Sequence, residues 1–356
     1  MPKPSIAPNP AARSARAAVL NFGLLILLLA TVVVSMMLGQ VSASPAEVMG
    51  AILNKVGIDW LPLPEHPKAL DTLWSIRFPR IAVAALVGAA LALAGLLMQA
   101  IFGNPLAEPG VVGVSSGAAL GAGIAIVFGI TFWGGWTTAL MAFAGGLIAT
   151  LTVYFLSRGG GKTEVVTLVL TGIAVNAICG AGIALMMFIG DTSSREQIVF
   201  WQLGSMAGSG WAEVWVILPV LVVGALCSLL VARKLDLLSL GERNARHLGV
   251  NVELLRLSVI IVVALVVGVS VAFTGIIAFV GLVIPHIMRG ILGPAHGPLL
   301  LSSMLGGALL LTLADVAART LVPMADLPIG MITSLIGGPF FFWLLRRTRQ
   351  SAGGWG

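Results

Sequence analysis

Apolar residues occur along this chain in long uninterrupted runs, with Pro, Gly and charged residues gathered between them. A membrane-spanning helix needs about 20 predominantly apolar residues. Ten runs approach that length: Ala18 to Leu38, Ile81 to Phe102, Val111 to Ile130, Trp136 to Ser157, Thr163 to Ile189, Val214 to Val231, Leu254 to Ala272, Gly275 to Leu292, Leu299 to Leu321 and Pro328 to Leu345. The runs are continuous rather than alternating with period two, which argues against a transmembrane β-barrel. The pattern predicts an all-α polytopic membrane protein: a bundle of about ten transmembrane helices forming one domain over residues 1–356. No internal repeat is visible. Pro45, Pro62, Pro64 and Pro67 divide the 39–76 connection and leave room for one short helix from Pro45 to Val56.

Only 10% of the residues are charged, against about 25% in a soluble domain, too few to cover a water-exposed surface. The 44 glycines suit helices that approach closely in lipid. A formal charge of +6 could indicate nucleic acid, but the basic residues sit at the ends of apolar runs rather than on one face. Membrane lipid is the expected surroundings, and no nucleic-acid partner is expected. Lys55, Lys68, Arg77, Arg80, Arg195 and Arg319 fall on one set of loops and the other 14 of the 20 basic residues on the opposite set. The positive-inside rule then places the larger set, and both termini, in the cytoplasm. Residues 1–17 become a cytoplasmic tail. Val41-Ser42-Ala43 resembles a signal-peptidase site, yet the preceding apolar run of 21 residues exceeds the roughly 7–15 of a signal peptide, so a retained anchor is expected.

Several motifs bear on chemistry. Gly159-Gly-Gly-Lys162-Thr163 resembles the end of a phosphate-binding loop, but Leu156 stands where that motif needs a glycine and no strand precedes it. A tight inner turn leading into a helix at Thr163 is expected instead. Gly113-Val-Ser115-Ser-Gly117 satisfies the nucleophile-elbow spacing, which makes an intramembrane serine protease using Ser115, with His286 in another span, the enzyme alternative. The competing reading is packing, because Gly113, Gly117 and Gly121 recur every four residues. Cys179 and Cys227 read as buried structural thiols, without the spacing of a metal site or a disulfide framework. Asp315 is the one acid deep in a span, where it either marks a pathway or pairs with a neighbouring helix. The inner segment 234–253 reads as one or two short amphipathic helices with Leu237, Leu240 and Leu248 on an apolar face. Its mixed charges fit a protein partner better than anionic lipid.

Asn104-Pro-Leu-Ala-Glu-Pro-Gly110 with Val112-Gly-Val-Ser-Ser-Gly-Ala-Ala-Leu-Gly121, then Phe279-Val-Gly-Leu-Val-Ile-Pro-His-Ile-Met-Arg289, Asp326-Leu-Pro-Ile-Gly330 and Ile336-Gly-Gly-Pro-Phe340, together resemble signatures of the FecCD family. These are permease subunits of ABC importers for haem, ferric siderophores and cobalamin, in the bacterial inner membrane. The resemblance implies no catalytic residues, no resident metal and no bound cofactor, with ATP acting on partner subunits. It implies a second permease copy, as a homodimer or a related chain, two cytoplasmic ATPase subunits and a periplasmic binding protein. Leu237, Leu240, Gly241, Glu242, Arg243, Arg246 and Leu248 match the coupling segment. Asn104, Pro105, Leu106, Lys162 and Thr163 resemble the cytoplasmic gate, although Asn104 could equally cap the following turn. Arg77, Arg80 and Arg319 match arginines that dock the binding protein, the alternative being snorkelling at the headgroups. Asn176, Met186 and Met187 on the fifth helix, with Met331 and Thr333 on the tenth, are the expected pathway lining. Their apolar character suits a bulky chelate, with haem favoured slightly over a siderophore or cobalamin.

Overall fold

The computed structural model describes residues 10–38, 44–55, 57–64, 68–159, 162–322 and 325–351. The 41–43 segment, Gly160 and Gly161 of the inner turn, Val56, Pro67 and the first nine residues of the tail lie outside them. All ten apolar runs fall on helices. In chain order the helices are α1 (Pro10–Met37), α2 (Pro45–Lys55), α3 (Ala69–Thr72), α4 (Phe78–Phe102), α5 (Val114–Val127), α6 (Trp136–Leu156), α7 (Val165–Ile189), α8 (Thr192–Leu203), α9 (Trp211–Leu238), α10 (Glu242–His247), α11 (Val252–Thr274), α12 (Val280–Leu292), α13 (His296–Thr320) and α14 (Ile329–Ser351). Seven of the runs form helices long and apolar enough to cross a membrane, while α5, α12 and the apolar part of α14 are shorter.

At the centre stands α4, buried along almost its whole length and packed on α13, α12, α9 and α11. Small residues make this possible. A Cβ on Gly88 would overlap the Gly307 backbone, and one on Gly95 would overlap Gly281, so α4 meets α13 and α12 backbone to backbone as small-residue interfaces do in lipid. The stripe expected on α5 behaves likewise, with Gly117 against Gly145 and Gly121 against Met141 of α6.

At the outer end α2 forms where the sequence placed it, started by a reciprocal cap. Ser44 N donates to Glu47 Oε2 at 2.6 Å and Glu47 N donates to Ser44 Oγ at 3.2 Å. The buried face of α2 supplies Val48 and Ala51 to a small outer core with Met36, Leu73, Phe78 and Ile81. Between α3 and α4 the chain runs through one wide π-helical turn, Leu73–Arg77. Pro79, with no N–H and a ring that crowds the carbonyl four residues back, accounts for the widening.

Two boundaries and the burial of one thiol differ from expectation. Thr163 does not open a helix but pairs with Arg158 in a two-strand hairpin, β1 (Arg158–Gly159) and β2 (Lys162–Thr163). The run beginning at Gly275 is non-helical until Val280, because Gly275 takes φ 69 and ends α11. Cys179 is buried as expected, but Cys227 is only half-buried.

Candidate functional site

The 234–253 segment is a turn and a helix fastened to the bundle from beneath. The last turn of α9 ends at Leu238, and Gly241, at φ 101, takes a conformation that favours glycine and starts α10 in a new direction. Asn251 then caps α11 by accepting from Leu254 N at 3.0 Å. Of the expected apolar face, Leu240 and Leu248 are about 60% exposed, whereas Leu237 packs against the core. Exposed Arg243 stands near them on the same short element, so α10 presents apolar and cationic groups outward.

Arg256 holds this element in place. It is 5% exposed and donates through Nη2 to Glu242 Oε2 at 2.8 Å and through Nη1 to the Thr163 carbonyl at 2.6 Å. Glu242 also accepts from Arg246 Nη2 at 2.6 Å, and Glu253 accepts from Thr163 N at 2.9 Å. Hairpin, α10 and α11 thus form one assembly. Burial alone would raise the Glu242 carboxyl, but the hydrogen bond from Arg246 and the charge and hydrogen bond of Arg256 outweigh it and hold it below its ordinary value. A second tie joins α9 to α13, where Asp236 Oδ1 accepts from His296 N at 2.8 Å and lies 2.6 Å from its Nδ1.

The remaining expected gate residues form a tight turn. Asn104 Oδ1 accepts from Leu106 N at 2.9 Å, the capping geometry of an Asx turn. Asn104 and Pro105 are exposed and Leu106 is half-buried.

The expected pathway residues divide. Asn176 points into its own bundle, accepting from Ser116 Oγ and donating to the Gly110 carbonyl at 3.2 Å. Met186 is buried beside Gly123, and Thr333 is buried with its hydroxyl on the Gly330 carbonyl. Within this chain, Met186 and Thr333 are buried, and Asn176 is half-buried with its amide committed to α5 and the turn before it. Met331 is exposed and Met187 half-buried. They join Ile173, Ile178, Leu185 and Phe188 of α7 and Leu335 of α14 on exposed apolar faces.

The outer arginines are not free charges. Arg80 Nε donates to Asp315 Oδ1 at 2.8 Å, and its two terminal nitrogens clasp Asp326 at 2.6 and 3.0 Å. Arg319 Nε takes the other Asp315 oxygen at 3.1 Å and reaches Ser35 and the Leu38 carbonyl. Arg77 Nη1 donates to the Met36 carbonyl at 2.6 Å. Asp315, fully buried, therefore pairs with neighbouring elements. The arginines tie α1, α4, α13 and the loop carrying Asp326 together, a closure the sequence did not reveal.

Ser115 lies in the first turn of α5, preceded by the 3-10 turn Pro109–Val112 and by Gly113 at φ 83. A nucleophile elbow needs a strand there. It is Ser116, not Ser115, that makes the hydrogen bond to Asn176. Sequence reasoning missed Arg256, although Glu253 and Arg256, three apart at the foot of an apolar helix, were a readable pair.

Comparison with known proteins agrees with this arrangement. The FecCD transport family matches residues 27–347. The chain is 41% identical over 291 residues to the hemin transport system permease protein HmuU of Yersinia pestis, covering 80% of this chain and 87% of that one. It is 39% identical over 329 residues to the vitamin B12 import system permease protein BtuC of Klebsiella pneumoniae, covering 92% and 93%. A solved inward-facing structure of a transporter assigned to the metal-chelate ABC type superposes with a TM-score of 0.81 at 34% identity, over 92% of this chain and 98% of that one.

Proposed function

Because the chain belongs to the FecCD transport family, and is a multi-pass inner-membrane permease of an ABC importer for metal-chelate substrates, we propose that it carries haem from periplasm to cytoplasm. A ferric siderophore or cobalamin is the alternative cargo. The observation that supports a bulky chelate is the apolar, exposed faces of α7 and α14, with Met187 and Met331 among their side chains. A small hydrated cation would instead need a ring of oxygen ligands. A second copy of the chain covers these faces, so the pathway runs between two permeases. Two ATPase subunits receive α10, where Leu240 and Leu248 enter an apolar groove flanked by acidic groups that meet Arg243. The assembly fastened by Arg256 then passes ATPase closure to the hairpin and to α11, and the bundles rock between outward and inward access. The binding protein docks at the outer rim, where its carboxylates compete with the 38%-exposed Asp326 for Arg80 and reach half-buried Arg319 beside it, while Arg77, 6% exposed, adds its charge from beneath.

Direct comparison of cargoes tests the substrate. Proteoliposomes holding the permease, its ATPases and the cognate binding protein should take up haem with ATP, in preference to cobalamin or a ferric siderophore. Preferential uptake of either competitor replaces haem as the cargo.

A further inference from the structure

Under α10 lies a cavity of about 360 Å³, within the size range of small-ligand pockets, bordered by exposed Ser239. Its walls carry an excess of positive charge. Arg256 is offset by Glu242 at 2.8 Å and Glu253 at 3.8 Å. Arg289, near the end of α12, makes no ion pair among the described residues, and its Nε and Nη2 are buried without hydrogen-bond partners. Arg256 Nε, Gln99 Oε1 and His296 Nε2 are also buried and unpartnered, on residues at most 5% exposed. Gln99 commits its Nε2 to the Gly281 and Leu282 carbonyls, so the atom it has left is an acceptor. His296 spends Nδ1 on Asp236. Water can satisfy such dipoles, but only an anion offsets the charge of Arg289.

We propose that this cavity is a binding site for a phosphate group that also carries a hydroxyl hydrogen. The ionised oxygens accept from Nε and Nη2 of Arg289, two donors on one edge of a guanidinium, and from Arg256 Nε. The hydroxyl donates to Gln99 Oε1 or His296 Nε2. Monobasic inorganic phosphate has this chemistry, and so does the phosphatidylglycerol headgroup with its glycerol hydroxyls. Sulfate has the charge without the proton. The cavity also borders Pro105 of the expected gate and Gly241 and Glu242 of the coupling segment, and the proposal does not depend on the identity of the chelate.

Thermal melting of the purified full chain in neutral detergent, at constant ionic strength, tests the site with inorganic phosphate as the probe. The melting temperature should rise saturably with phosphate, with an apparent affinity at least about tenfold above that for sulfate, since a site built to bond a hydroxyl rejects an analogue lacking it. Arg289→Gln should abolish the response. If that variant does not fold, Ser239→Glu, at an exposed position on the cavity border, should weaken it by repulsion. Repeating the titration in phosphatidylcholine nanodiscs with and without phosphatidylglycerol separates the sources. A phosphate response suppressed by the lipid assigns the site to the headgroup, and an unsuppressed response assigns it to free phosphate. No response to either probe, an equal response to sulfate, or an undiminished response in both variants overturns the proposal.

Discussion

Arg256 and Glu242 are 14 residues apart in sequence, and their charged groups meet at 2.8 Å across the boundary between the apolar helix α11 and the short element α10. The same guanidinium holds the Thr163 carbonyl of the hairpin. One buried side chain thus fastens two elements that the family resemblance assigns to separate tasks, coupling and gating.

Arg256→Gln should therefore loosen both. The Glu242 side chain is 40% exposed and keeps Arg246, so loss of this ion pair costs about 1 kcal/mol or below, to which the lost hydrogen bond to the Thr163 carbonyl adds about 1 kcal/mol. Hydrogen exchange should rise at Thr163, whose amide is held by Glu253, and through α10. Unchanged exchange at both places would falsify the linkage.

The Glu242 carboxyl is held low, which fixes a pH dependence. A carboxyl whose folded pKa lies below its ordinary value of 4.5 contributes stability that is present above that value and lost as pH falls through the folded pKa. Local opening of α10 should be constant from pH 8 to 5 and should increase only under more acid conditions. In Glu242→Gln this acid-range increase should be diminished, which pH-dependent hydrogen exchange can measure.

Leu240 separates coupling from folding. At 60% exposure it contributes little to the bundle, so Leu240→Asp should leave the melting temperature within about 2 °C. In an ATPase groove the introduced carboxylate would be buried without a partner, so co-purification of the ATPase subunits should drop sharply. Retained assembly would favour a headgroup-facing helix.

At the outer end, Asp315 sits between two arginines with no exposure. Asp315→Asn should destabilise by on the order of 3 kcal/mol. Asp326→Asn should cost less, about 1 kcal/mol or below, because that side chain is 38% exposed and Arg80 keeps Asp315. Comparable melting temperatures for the two variants would show that burial does not set the hierarchy.

Much of this architecture was legible in the sequence because lipid imposes one strong rule, that backbone polar groups be satisfied within continuous apolar helices. Ten such runs, the Pro45 helix and the glycine stripe on α5 follow from it. What stayed hidden depended on other signals. The polar helix α8 lacks apolar periodicity, although Asp191, which accepts from Ser194 N at 2.7 Å, was a readable cap. Rotation about a helix axis was not legible either. Nothing in the local sequence says that Asn176 faces Ser116, or that Arg80 turns inward to an aspartate 235 residues away. Long-range pairing decides both.

The central claim is that this chain is the membrane half of an ATP-driven importer and has no ATPase of its own. The most direct measurement is ATP hydrolysis and substrate uptake in proteoliposomes, comparing the chain alone with the chain plus its ATPase subunits and binding protein. The account predicts neither activity from the chain alone, and ATP-dependent uptake when all parts are present. Hydrolysis by the isolated chain, or uptake that proceeds without the ATPase subunits, would contradict it.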